Sequence, residues 1–266
     1  MPRNGKSSLI QQIANKANAT FKNCSLADSK AFSAQRSELS ALLGELRAAD
    51  LNISPPKRSS RSGSSSGSGS GSGSSSGSSS SAPVTYMHIC ETDAFSMGVF
   101  LLRSGASIPL HDHPGMNGML KVLYGKLRIR CFDKLERPQN APEAGEGGPS
   151  QSQLQSQSPS QQAPVWHSVL RSTSEFTDHS GPCLLTPMRD NLHQIEAVEG
   201  PAAFLDILAP PYDPNEGRDC HYYRVIHGGG GEPGRNSKEE TLLLEIPQPD
   251  DFWCGGEPYP GPQVAL

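Results

Sequence analysis

With 266 residues, 23 Lys and Arg against 27 Asp and Glu, the chain has a formal net charge of −4 and a pI near 6.1. That balance offers no basic face for nucleic acid, and no apolar run approaches the ~18–20 residues that a membrane span needs. The six cysteines (Cys24, Cys90, Cys131, Cys183, Cys220 and Cys254) lie far apart, with no C-x-x-C pair and no apolar signal segment before them. Such usage fits reduced thiols in the cytoplasm or nucleus. Arg3, Lys6, Lys16 and Lys22 precede the first acid, Asp28, which leans toward a mitochondrial presequence, but one arginine in that stretch is too few to prefer that address.

In chain order, Leu9, Ile10, Ile13, Ala14 and Ala17 fall at helical spacing, and a second helix is expected over 33–49 with Leu39, Leu42, Leu43 and Leu46 on one stripe. Together they form a helical extension, residues 1–58, expected to pack on the outside of a domain. Residues 59–82 are almost entirely Ser and Gly, a flexible tether whose ends should lie about 25 Å apart on average. From 83 to 266 the pattern becomes short β-rich runs at 84–90, 97–102, 119–123, 127–132, 165–170, 182–186, 192–198, 202–208, 221–226 and 242–246, separated by Gly, Pro and Asp turns. Many short strands of this kind indicate an all-β sandwich or barrel. Residues 136–164 are rich in Gln, Ser, Pro and Gly with little to bury, and read as a disordered insert whose deletion should leave the fold intact. The Pro- and aromatic-rich tail 252–262 is expected to wrap the barrel.

The chemistry concentrates in His111-Asp112-His113 and a distant His193. An H-x-H on a strand places both imidazoles on one face and Asp112 on the other, so Asp112 is expected to bond to the turn rather than to bind metal. Two ligands from one strand and one from another make a facial set that leaves the far side of a metal open. The remaining histidines His88, His167, His179 and His227 are expected to be structural. Gly105, five residues, His111, one residue, His113, four residues, Gly118, six residues and Gly125 match the spacing of the first cupin motif, which carries Glu where this chain has Gly118. Gly181, Pro187 and His193 resemble the second motif, with Arg189 in place of its usual Gly and the His one residue late. The chain thus resembles the cupin superfamily over 84–226, which implies a double-stranded β-helix or jelly-roll barrel.

A site without a protein carboxylate leaves a ferrous ion its full positive charge, and the missing anion can come from the substrate. A thiolate suits that role, because a coordinated cation deprotonates a thiol, and oxygen transfer to sulfur then gives a sulfinate. The segments around 108–116, 189–193 and 204–212, continuing through 218–223 and 251–254, resemble the thiol dioxygenases, the family that includes the plant cysteine oxidases. The resemblance implies an Fe(II) enzyme using O2 to oxidise cysteamine and N-terminal cysteines of proteins to sulfinic acids, and an oxygen-sensing role feeding the arginine branch of the N-degron pathway. It also implies a thioether cross-link between Cys220 and Tyr222, which stand two apart.

Both substrates pair a thiol with an amine two carbons away. Asp206 is the candidate for holding the ammonium, directly or through water, or else for orienting a ligand histidine, and Tyr212 for supplying a hydroxyl. Two other readings of the sequence remain: a cupin isomerase or different metal-dependent oxygenase, and a non-catalytic metal-binding module whose polar tracts dock partners. A monomer is expected, since no extended apolar strand edge is evident.

Overall fold

The computed structural model describes residues 7–22, 29–56, 82–135, 164–226 and 240–266. Most of the Ser/Gly tether and of the 136–164 insert, together with Cys24 and His227, falls outside the described residues. Two helices, α1 (Leu9–Lys22) and α2 (Ser29–Gly44), precede ten strands: β1 (Val84–Glu91), β2 (Ser96–Leu102), β3 (Ser107–His111), β4 (Asn117–Lys134), β5 (Val165–Thr177), β6 (Cys183–Leu185), β7 (Leu192–Ala209), β8 (Tyr222–Ile226), β9 (Glu240–Ile246) and β10 (Cys254–Gly256). The second helix begins and ends earlier than its leucine stripe suggests, and a short 3-10 turn at Ala48–Leu51 carries the chain on toward the barrel.

Runs expected as separate strands at 119–123 and 127–132 are one strand, β4, and those at 192–198 and 202–208 are likewise one, β7. The glycines between them are bends absorbed into the ladder: the β4–β7 register slips around Tyr124, and Gly125 and Gly200 take φ of +78° and +122°. Gly125 is required there for space as well, because a Cβ would meet the Pro201 carbonyl oxygen at 2.4 Å. β3 and β10 were not among the expected strands; both are short, and β10 pairs in parallel with β1, which ties down the tail.

The long β4 and β7 pair along almost their whole length, from Asn117 with Ala209 to Phe132 with Leu192. The free edge of β7 takes β3 and β2, and that of β4 takes β5 and β6. Because β3 pairs with β8, β8 with β9 and β9 with β5, the ladder returns to β4 and closes a barrel. Closure removes the free edges of those strands.

Alternation along the strands sorts the side chains. Leu120, Val122, Ile129, Ile195 and Phe204 fill the inside of the barrel, while Met97, Val99, Met119, Leu205 and Ile207 face outward under Ile10, Ile13, Leu39 and Leu43 of the helices. The N-terminal helices therefore share a core with the barrel. Each such buried Leu or Ile contributes about 1.5–3 kcal/mol.

Candidate metal centre

The ladder itself assembles the three histidines. His111 closes β3 and stands directly opposite His193 on β7, and on its other side it faces Tyr222 of β8. Cys131 of β4 is the neighbour of His193 across the remaining edge. Since Leu110, Leu192, Phe132 and Tyr223 form an apolar cluster on the opposite face, their strand neighbours His111, His193, Cys131 and Tyr222 point the other way together. His113 arrives differently: β3 ends at His111, so Asp112 and His113 lie on the turn that follows rather than on a strand.

The three rings stand with centroids 4.7 to 4.8 Å apart, and one ligand atom from each lies within 4.8 Å of the others. All three are buried. The Nδ1 atoms of His111 and His113 are 2.8 and 2.9 Å from the carbonyl oxygens of Pro109 and Asn191. A carbonyl only accepts, so each Nδ1 carries the proton and each Nε2 keeps a lone pair for a metal. Burial lowers all three histidine pKa values; that of His113 falls to about 3, with the neighbouring His111 adding to the effect. Near neutral pH the cluster is three neutral nitrogen donors, the donor set a first-row transition ion accepts.

Asn191 was not singled out from the sequence as a functional residue. Its Oδ1 accepts from the His113 backbone N–H at 3.2 Å, and its Nδ2 donates to the His113 and Thr186 carbonyls at 2.7 and 3.1 Å. One side chain thereby staples the turn carrying one ligand to the residues leading into the strand carrying another. Its place two residues before His193 was the only clue.

Asp112 turns away from the histidines into a separate network. One carboxylate oxygen accepts from the His221 backbone N–H at 3.0 Å and lies 3.1 Å from its ring Nδ1; the other accepts from Lys134 Nζ at 3.0 Å and Tyr223 Oη at 2.7 Å. Burial opposes ionisation, but those hydrogen bonds and the Lys134 charge outweigh it and hold the carboxyl below its usual range. The Asp112 carbonyl accepts from Tyr212 Oη at 2.7 Å, and the Tyr212 ring stands 5.6 Å from that of His113.

Asp206 sits on β7 opposite Gly98 and Leu120 and lines a 470 Å³ cavity with Tyr86, Phe100, Leu208, Tyr212 and Cys254. Burial raises its pKa to about 7, against a hydrogen bond from the Ile207 backbone N–H. The Nδ1–H groups of His111 and His113 already have backbone acceptors, so orienting those two rings falls to Pro109 and Asn191 and not to Asp206. Cys220 lies in the loop before β8 and not on the strand that carries Tyr222, with the hydroxyls of Tyr212 and Tyr222 near its thiol. Burial pushes that thiol up to about 11 despite the nearby hydroxyls. His88, His167 and His179 are exposed and belong to no metal-ligand cluster among the described residues.

One family model, PCO_ADO, matches residues 42–264. The chain belongs to the PCO_ADO family. It is 50% identical to human 2-aminoethanethiol dioxygenase and 52% identical to the mouse protein of that name, each alignment covering 99% of both chains. Plant cysteine oxidase 1 of Arabidopsis thaliana is 28% identical over 70% of this chain and 53% of its own. Among solved structures, a cupin superfamily protein from Desulfitobacterium hafniense is similar with a TM-score of 0.29 and 12% identity, over 48% of this chain and 78% of that one. This PCO_ADO member is a dioxygenase with a three-histidine metal site in an all-β barrel.

Proposed function

We propose that this chain is an Fe(II) thiol dioxygenase whose substrates are cysteamine and the N-terminal cysteines of proteins, converted with O2 to hypotaurine and to cysteine sulfinate. The observation that carries the reading is a buried cluster of three neutral imidazoles with no carboxylate among its ligand atoms, in a chain of the PCO_ADO family. His111, His113 and His193 would hold the ion. Ferrous iron supplies ionisation of the substrate thiol and activation of O2. The overall conversion, RSH + O2 → RSO2H, places both oxygen atoms on sulfur and needs no external reductant.

The protein's own groups position and exclude. The Asp206 carboxylate, in the cavity wall, takes the substrate ammonium, an interaction strengthened by the apolar Phe100 and Leu208 beside it. Tyr212, anchored through its hydroxyl to the Asp112 carbonyl, closes the side of the cavity next to His113. Cys220 and Tyr222 would form the thioether link, and Tyr222 flanks His111 with ring centroids 6.4 Å apart. The same reading makes the enzyme a monomeric cytoplasmic oxygen sensor acting ahead of the arginine branch of the N-degron pathway, with the helical extension, the tether and the insert as appendages to one catalytic barrel.

Incubating iron-loaded protein with a Cys-initiated peptide in air should add about 32 Da to the peptide, the two oxygen atoms of a sulfinate. An unchanged peptide mass with iron verified in the protein would sink the proposal. Rates measured against O2 concentration test the sensing role: half-saturation far below tissue oxygen would leave a consumer of O2 and not a sensor.

A further inference from the structure

We propose that Leu185 sets the number of protein ligands at the three-histidine site by filling the space in which a side chain at position 118 would reach the metal. The inference rests on the thiol dioxygenase reading above, because it explains how the fold keeps a coordination position for a substrate anion.

On β4 the alternation is explicit. Leu120 and Val122 belong to the interior cluster and Met119 and Leu123 to the outer one, so position 118 faces inward with Leu120. Gly118 lines a crevice of about 240 Å³ whose other walls include Leu120, Cys131, Leu185, His193 and Asp206. A side chain at 118 would therefore enter the same space that His193 borders. It collides there with Leu185 as that side chain stands: a Cβ built on Gly118 meets Leu185 Cγ at 2.7 Å, Cδ2 at 2.9 Å and Cδ1 at 3.1 Å.

The obstacle starts at the branch carbon, so turning the methyl groups does not clear it; the whole side chain of a buried leucine would have to swing aside. Nor can the backbone easily withdraw, since Leu185 is the direct cross-strand partner of Gly118 in the β4–β6 ladder. Leu185 is itself buried, and the crevice is too narrow at every point to admit a water molecule. An apolar side chain in that place thus keeps both a protein carboxylate and a water lodged in the crevice away from the ion, either of which would take up a coordination position and leave less of it for a thiolate arriving from the open side of the facial set. The missing side chain at 118 and the leucine opposite it work as one complementary pair.

The test uses the full-length protein loaded with Co(II), read by its electronic spectrum before and after cysteamine, so that no turnover is required. In the unmodified protein, cysteamine should produce a thiolate-to-cobalt charge-transfer band. Leu185→Ala should fold and load cobalt with unchanged stoichiometry. Entry of water should weaken its cysteamine binding by roughly tenfold, the equivalent of about 1.4 kcal/mol. Gly118→Glu alone should lose native circular dichroism or melt far lower. Gly118→Glu combined with Leu185→Ala should recover the fold, hold cobalt more tightly and show no thiolate band.

Leu185→Ala with a cysteamine titration identical to the unmodified protein overturns the proposal. So does Gly118→Glu that folds normally and loses the thiolate band with Leu185 still in place, since Leu185 would then guard nothing. A double variant that folds and retains the full band shows that position 118 does not lead to the metal, and overturns it equally. Should the unmodified cobalt protein give no thiolate band, the thiol reading fails. Leu185 is then judged on the cobalt spectra without thiol, where only the alanine variant should show the weaker, higher-coordinate absorption.

Discussion

The two faces of the strands around His111 use buried polar groups in opposite ways. Inside, three histidines lie together with no carboxylate among their ligand atoms, and burial keeps them neutral. Outside, Asp112 is buried just as deeply but ionised, because Lys134, Tyr223 and the His221 N–H converge on it. The contrast shows that burial alone does not set charge; the number and sign of the partners do. The neutral face is open to a cation, whereas the charged one is satisfied and fastens the turn between two ligands to β4 and β8.

Removing a donor from the neutral face should have the largest effect. His193→Ala is expected to lose stoichiometric iron, measured by metal analysis of the purified protein, and with it all detectable sulfinate formation. Next comes the charged face, where Asp112→Ala removes the acceptor of the Tyr223 hydroxyl and the His221 N–H and leaves the Lys134 ammonium bonded to Tyr223 Oη alone. A loss of about 2–3 kcal/mol in denaturant unfolding is expected, with Tyr223→Phe costing about 1 kcal/mol. If Asp112→Ala were as stable as the unmodified protein, the hub would be ornamental and the contrast between the faces would fail.

Asn191→Ala should lie between, sparing the fold but weakening metal affinity about 10–100-fold, because the His113 turn loses its staple. Metal competition titration reads this separately from stability. Asp206→Asn should leave iron content intact and raise the KM for cysteamine. Equal iron loss in Asp206→Asn and His193→Ala would assign Asp206 to the metal rather than to the ammonium.

The smallest effects are those of pH on the two carboxyls, and they have opposite sign. Asp206 has a folded pKa raised to about 7. Its contribution to stability is present below the ordinary carboxyl range and is lost as pH rises through about 7, and Asp206→Asn should flatten that slope. Asp112 has a lowered folded pKa, so its contribution is present above the ordinary carboxyl range and disappears as pH falls through the folded value. Thermal melts of metal-free protein across pH check both. Cysteamine KM should also fall as pH rises through about 7, when Asp206 ionises, and this limb should be absent in Asp206→Asn.

Much of the barrel was legible in sequence, because strands with one buried face alternate and turns announce themselves with Gly, Pro and Asp. The joins were less so. Gly125 and Gly200 read as ends of strands, and only the β4–β7 ladder shows them as bends within it. Similarly, Cys220 and Tyr222 stand two apart in sequence, but only the structure shows that Cys220 lies in the loop before β8 and Tyr222 on the strand. Asn191 and Leu185 escaped notice for a related reason: an asparagine in a loop and a leucine in a short strand are unremarkable until their cross-strand partners are known.

By itself the sequence determined the donor types, their spacing in one H-x-H and one isolated His, and the absence of a carboxylate at Gly118, since these are properties of residue identity and local order. Only the tertiary structure decided which imidazole nitrogens are free, which charge Asp112 bears, and what fills the space beside Gly118. Those depend on partners such as Pro109, Asn191, Lys134, Tyr223 and Leu185, most of them brought near by strand pairing between segments remote in the chain.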